Sequence, residues 1–185
     1  MFTHPALHAF TVDLPDHRST ISAVELAGLA ARLAATSDLW RSLVRHDPAE
    51  RWYERLLLSD DLEIWLIGWA PGQGTPPHDH GEAAGAMAVA EGSLLEEVYE
   101  RTSLAPARTA VHRAGATLAF PPDHVHRVRN VAAVNATSIH AYSPPDRPMR
   151  VYRLPVPASQ NAASSRTAAA SRAGSGITAS SSGAL

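Results

Sequence analysis

The chain of 185 residues contains no cysteine. That excludes disulfide staples and any metal site built on thiolate, and it fits a reducing compartment without requiring one. Charge is sparse as well: 18% of residues are Asp, Glu, Lys or Arg, and the net charge is -2 at pH 7. So balanced a chain lacks the basic footprint of a nucleic-acid-binding protein. No apolar run approaches the roughly 20 residues that span a bilayer. The opening MFTHPALHAFTVDLPDH has no basic segment followed by an apolar run, so no secretory signal is expected. The expectation is a cytoplasmic protein, monomeric, with small molecules rather than nucleic acid or membrane as partners. Large apolar residues are missing from one further place. Residues 157–185 are dominated by Ala, Ser and Gly and offer little burial to offset ordering entropy, so a disordered tail is expected.

The rest supports one domain over residues 1–156. Residues 1–19 look like an irregular lead-in. Ser22-x-x-Glu25 is a capping-box pattern at the start of AVELAGLAARLAAT. Val24, Leu26, Leu29 and Leu33 recur at helical spacing, which predicts an amphipathic helix covering one end of a sheet. Asp38 to Arg45 predicts a second short helix, ended near Asp47-Pro48, so the helical lead-in spans about 19–46. After Glu50 the period changes. Arg51–Leu58, Leu62–Trp69, Ala86–Ala90, Leu94–Arg101, Ala107–Arg113, Thr117–Phe120, His126–Val131 and Ala136–Tyr142 read as strands, with Gly, Pro, Asp and Ser at the breaks. Many short strands at this spacing predict an all-β sandwich or barrel over about 50–155.

Within that region stands His78-Asp79-His80. Alternate residues of an extended chain share a face, so two imidazoles can meet at one point while Asp79 faces away. Neutral imidazole is the commonest protein ligand for transition metals. The surroundings add a pattern. Gly72, five residues, His78-x-His80, four residues, Gly85, six residues and Gly92 resemble the first motif of the cupin superfamily. Gly115, five residues, Pro121-x-Asp123, two residues, His126, three residues and Asn130 resemble its second motif, with Asp123 where glycine is usual. The resemblance implies a jelly-roll barrel with His78, His80 and His126 as metal ligands. The usual first motif has a glutamate ligand where this chain has Gly85, and Glu82 is out of register, so a ligand set without carboxylate is expected. His124 precedes His126 by two residues and can share its face, which leaves a ligand swap open.

A second constellation is Ser138-Ile139-His140-Ala141-Tyr142, which puts a hydroxyl, an imidazole and a phenol on one strand face. Such a row can relay hydrogen bonds. Together with Tyr53-Glu54-Arg55, His78-Asp79-His80, HVHRVRN over 124–130 and SIHAYSPP over 138–145, it resembles the cysteine dioxygenase family from about Arg51 to Tyr152. The resemblance implies Fe(2+) on the three histidines, an outer triad of Ser138, His140 and Tyr142, substrate carboxylate on Arg55, and Tyr53 lining the same pocket. Arg51 shares the strand face of Arg55 and is its rival. The implied reaction joins L-cysteine and O2 into cysteine sulfinic acid. The alternatives are another small thiol such as 3-mercaptopropionate, or a metal-binding sensor without catalysis. Animal members crosslink the triad tyrosine to a cysteine; with Gly85 at that position, no thioether can form here.

Overall fold

The computed structural model describes residues 2–7 and 20–154. The expected tail at 157–185 and most of the expected lead-in lie outside the described residues. Among the described residues the chain is mostly β-sheet with one α-helix, α1 (Ala23–Ala35). The strands are β1 (Phe2–Thr3), β2 (Trp52–Leu58), β3 (Glu63–Trp69), β4 (Ala84–Glu91), β5 (Ser93–Tyr99), β6 (Pro106–Arg113), β7 (Thr117–Phe120), β8 (Val125–Arg129) and β9 (Ala136–Ser143). All pairings are antiparallel. One six-stranded sheet runs β1-β2-β3-β9-β4-β7, and a three-stranded sheet runs β6-β5-β8.

The expected jelly-roll barrel takes the form of this pair of sheets, with no closed barrel among the described residues. Among the described residues no ladder joins them; the connection from β3 to β4 reaches β8 at single bridges, Gly74 with Arg129 and His78 with His126. Between the sheets lies an apolar cluster of Trp69, Met87, Val89, Leu94, Phe120, Val128 and Ala136. The opposite face of the large sheet carries a second core, which includes Leu56, Ile64, Leu66, Ala86, Ala88, Ile139 and Ala141.

α1 covers that opposite face rather than an end of the sheet. Its start is set by the capping box: Ser22 Oγ accepts from the Glu25 amide at 3.3 Å, and Glu25 Oε2 accepts from the Ser22 amide at 2.9 Å. Leu26, Leu29, Ala30 and Leu33 pack into the core, whereas Val24 is 76% exposed. The apolar stripe is therefore 26, 29, 30 and 33, the i, i+3, i+4, i+7 pattern, and Val24 falls outside it.

Two expectations at the N-terminal side are corrected. Asp38 to Arg45 does not form an α-helix; a 3-10 turn at Ser37–Leu39 and further turns replace it. Trp40 is buried there, and its Nε1 donates to the Leu33 carbonyl at 3.0 Å. That anchor folds the chain back on the end of α1 instead of letting a second axis develop. The lead-in is not wholly irregular either, since Phe2 and Thr3 pair with Leu58 and Leu57.

Burial at position 33 makes a direct prediction. Leu33→Ala should cost roughly 2–5 kcal/mol in chemical denaturation, while Val24→Ala should stay within about 0.5 kcal/mol of the wild type. Equal losses at the two positions would show that α1 presents a different face to the sheet.

Candidate metal centre

His78 and His80 lie on the extended connection from β3 to β4, outside any named strand. His126 lies on β8. A reciprocal backbone pair joins them: the His78 amide donates to the His126 carbonyl at 2.8 Å, and the His126 amide donates back at 3.0 Å. This bridge puts the histidines of the connection beside the one on β8. One ring nitrogen from each of His78, His80 and His126 lies within 4.8 Å of the others. All three side chains are buried.

The partners of these rings decide which nitrogens are left. His78 Nδ1 lies 2.9 Å from the Pro76 carbonyl, and His126 Nδ1 lies 3.0 Å from Glu96 Oε1. Both partners only accept, so both Nδ1 atoms carry the proton and each Nε2 keeps a free lone pair. His80 has no hydrogen-bond partner on either nitrogen. A buried polar atom without a partner is costly, and a metal ion would satisfy it. Burial, then the neighbouring His126, pushes the His78 pKa down to about 4. Burial and the surrounding imidazoles also hold His80 far below the usual histidine value, and burial lowers His126. The three rings are thus neutral at pH 7, which is the form that coordinates metals. The residues present fit a metal ion.

No carboxylate joins the set. A side chain at Gly85 would meet the Phe120 ring and stand 2.9 Å from Tyr142. Glu82 points into solvent, 4.0 Å from Arg150. The nearest buried acid, Glu96 on β5, lies behind His126. Its Oε1 accepts from His126 Nδ1 and His124 Nε2, each at 3.0 Å, and its Oε2 accepts from His112 Nε2 and from Arg108, each at 3.2 Å. Burial would raise this carboxyl, but the hydrogen bonds from His124 and His126 outweigh it and hold it ionised far below the usual range. His124 is thereby tied to Glu96 and is not one of the convergent three. Asp79 turns away from the rings, as expected, and its carboxylate accepts from the Tyr152 hydroxyl at 2.6 Å and from the Gly81 amide at 3.0 Å. Those bonds pin the His78–His80 connection from outside.

The row on β9 is continuous. Trp69 Nε1 donates to Ser138 Oγ at 2.8 Å, Ser138 Oγ lies 2.9 Å from His140 Nε2, and His140 Nδ1 lies 2.9 Å from the Tyr142 hydroxyl. Burial, then the nearby His126, pushes His140 down to about 3, and burial raises Tyr142 well above the ordinary phenol. The row is uncharged at neutral pH and can pass hydrogen bonds but not a net charge. The Tyr142 ring centre is 4.9 Å from that of His80.

Tyr142 and His80 open onto a cavity of about 470 Å³ whose wall includes Arg51, Tyr53, Arg55 and Glu63. Arg55 stacks 4.5 Å over Trp65 and lies 3.5 Å from Asp146 Oδ1. Tyr53 is 58% exposed at the mouth, edge-on to Trp65. Arg51, the rival, lies 5.0 Å over Trp69. Of the eight residues singled out by sequence, His78, His80 and His126 converge, Tyr53, Arg55 and Tyr142 line the cavity beside them, and Ser138 and His140 stand in the hydrogen-bonded row that ends at Tyr142. Sequence reasoning missed Glu96 and Trp69. For Glu96 a signal existed, since it shares strand parity with the buried Leu94.

Two outcomes follow for the purified protein. Glu96→Gln leaves one carbonyl to meet four donors, and metal affinity, measured by chelator competition, should weaken roughly 10–100-fold. Metal-free protein should lose thermal stability as pH falls from about 6.5 toward 4: the unfolded chain takes up protons there that buried His78, with its pKa near 4, refuses. A melting temperature that stays flat over that window would contradict the burial of neutral rings.

Comparison with known proteins places this geometry. Among solved structures, a Klebsiella pneumoniae protein with a double-stranded β-helix domain is 17% identical, with a TM-score of 0.53, covering 62% of this chain and 94% of its own. The Bacillus halodurans protein BH2720 is 19% identical, with a TM-score of 0.50 over 58% of this chain and 76% of its own. Peruvianin-I, described as a cysteine peptidase from Thevetia peruviana latex, is also 19% identical, with a TM-score of 0.50 over 60% of this chain and 72% of its own. At such identities the likeness is one of fold alone, and the peptidase among them carries no chemistry across. Lineage comes from the sequence family described as cysteine dioxygenase type I, whose match runs over residues 13–153 and spans both histidine motifs and the β9 row; the chain belongs to that family.

Proposed function

We propose that this protein is an iron-dependent thiol dioxygenase that joins L-cysteine and O2 into cysteine sulfinic acid. The observation that carries the reading is a three-imidazole ligand set with no carboxylate, opening onto an arginine-lined cavity beside a neutral Ser-His-Tyr row. Fe(2+) held by His78, His80 and His126 would keep its full charge, favouring a thiolate ligand, and would supply the chemistry that activates dioxygen.

The protein's own residues then have separable tasks. The guanidinium wall binds the carboxylate; the family resemblance assigns that place to Arg55, with Tyr53 beside it. Tyr142 keeps its proton at neutral pH because burial disfavours the phenolate. His140 Nδ1 meets its oxygen and Ser138 meets Nε2, so the phenol can donate into the cavity or accept from it as the row reorients. Phe120 stacks on His80 at 4.9 Å and keeps water from that ring. In the overall reaction both oxygen atoms end on sulfur, the sulfhydryl hydrogen is retained as the acid proton, and no external reductant is consumed.

Oxygen-electrode traces with Fe(2+)-loaded protein, combined with sulfinate analysis, test this. L-Cysteine should give one sulfinate per O2, faster than 3-mercaptopropionate. Tyr142→Phe should lower kcat by about a hundredfold with metal content unchanged. A faster rate on 3-mercaptopropionate would move the substrate assignment. Thiol binding without oxygen uptake would make the protein a sensor.

A further inference from the structure

After β9 the chain does not leave the centre. Residues 146–152 cross back over it as a strap. At one end Asp146, Arg147 and Met149 form part of the cavity wall. At the other, Val151 bridges His78, the Asp79 amide donates to the Arg150 carbonyl at 3.0 Å, and the Tyr152 amide donates to the Pro77 carbonyl at 2.8 Å. The connection that carries His78 and His80 is thus hydrogen-bonded along both edges, to β8 on one and to the strap on the other. The strap buries little apolar surface, since Met149 and Val151 are both exposed. Hydrogen bonds rather than packing hold it.

Asp79 is the centre of this contact. It stands between two of the convergent histidines in sequence and is buried. Its Oδ2 accepts from the Tyr152 hydroxyl at 2.6 Å, and its Oδ1 accepts from the amides of Gly81 at 3.0 Å and Arg150 at 3.3 Å. Among the described residues the Tyr152 phenol is the one side chain that donates to this carboxylate, and a hydroxyl on a carboxylate is a charge-assisted bond. Gly81 has φ +58, and a side chain there would run into the Pro148 carbonyl, so the strap lies directly on the turn after His80. The His80 ring has no hydrogen bond of its own. Beyond the rings packed against it, its direction depends on the backbone at 79–81, which is the part the strap holds.

We propose that Tyr152 is a positioning residue for the metal centre, acting through Asp79 on His78 and His80, and that the strap couples metal occupancy to the cavity wall. One segment touches both the ligand-bearing connection and the mouth. A metal that fixes His78 and His80 therefore also fixes residues 146–152, and by reciprocity a loosened strap weakens metal binding by the same factor. Tyr152 itself touches none of the three rings; its whole effect passes through the Asp79 carboxylate. This rests on the three imidazoles as a metal site and is independent of what the substrate is.

Chelator competition with Co(2+) on the full chain tests this without turnover, and the visible spectrum of bound cobalt reports ligand geometry. Tyr152→Phe removes one hydroxyl and should weaken Co(2+) binding by about tenfold, the low end for groups that orient metal ligands, with a shifted ligand-field band. Val151→Ala, on the same strap with its side chain in solvent, should bind Co(2+) as the wild type does. Arg150 is exposed, so trypsin can report on the strap: Co(2+) should slow cleavage at Arg150–Val151 several-fold in the wild type and much less in Tyr152→Phe. Circular dichroism checks that both variants keep the fold. The proposal is overturned if Tyr152→Phe matches the wild type in affinity and spectrum, if Val151→Ala loses as much, or if cobalt protects Arg150–Val151 equally in the wild type and Tyr152→Phe. Absence of Co(2+) binding by the wild type would remove the metal-centre reading as well, whereas tight binding that ignores Tyr152 would remove this proposal alone.

Discussion

The molecule is arranged around keeping imidazole neutral in an apolar interior. Protonated rings at His78, His80 and His126 would crowd like charges within 4.8 Å of one another, away from water. The fold avoids that by burial, which pushes every one of these rings down the titration scale. Neutral rings must then be told apart, because each has one nitrogen to offer and one to anchor. Acceptor-only groups do this at two of them: a backbone carbonyl at His78 and a carboxylate at His126. The bridge between His78 and His126 in turn ties the connection from β3 to β4 onto β8.

Charge is layered around that neutral centre. On the β5 side, Glu96 is saturated by four donors and stays behind His126, so its negative charge orients a ligand without becoming one. On the cavity side Arg51 and Arg55 share the wall with the acids Glu63 and Asp146. Between the two sides stands an uncharged hydroxyl–imidazole–phenol row. At Gly85 the Phe120 ring takes the space that an acidic side chain would need.

Much of this was legible from residue order. Short runs rich in Trp, Tyr, Val, Ile and Leu between turn residues placed the eight strands from β2 to β9, because such composition and punctuation are local signals. The capping box marked the start of α1 because its partners are local. Failures came where position depends on distant contacts. Val24 fits a helical spacing as well as Ala30 does, and only docking on the large sheet chooses between them. Asp38 to Arg45 has helical composition but is overruled by the buried Trp40. Glu96 stands beside Glu97, so the pair reads as a solvated acidic face, although one of the two is buried among histidines. Parity puts Arg51, Tyr53 and Arg55 on one face, yet it says nothing of depth along that face. Depth is set by Trp65, Trp69 and Asp146, which belong to other segments.

His80 shows how the third ring is held when no hydrogen bond is available. Phe120 lies against it at 4.9 Å and 22°, and Tyr142 flanks it at 4.9 Å and 32°. Stacked contacts are weak singly, but together they leave the ring little room to turn, and they leave its nitrogens bare. Phe120 can take this place only because residue 85 has no side chain, and Phe120 also stacks on His124, which binds Glu96, which orients His126. The glycine that departs from the usual motif is therefore part of how the centre is built: the space a carboxylate side chain would need at residue 85 is taken by a ring that packs against His80 and His126.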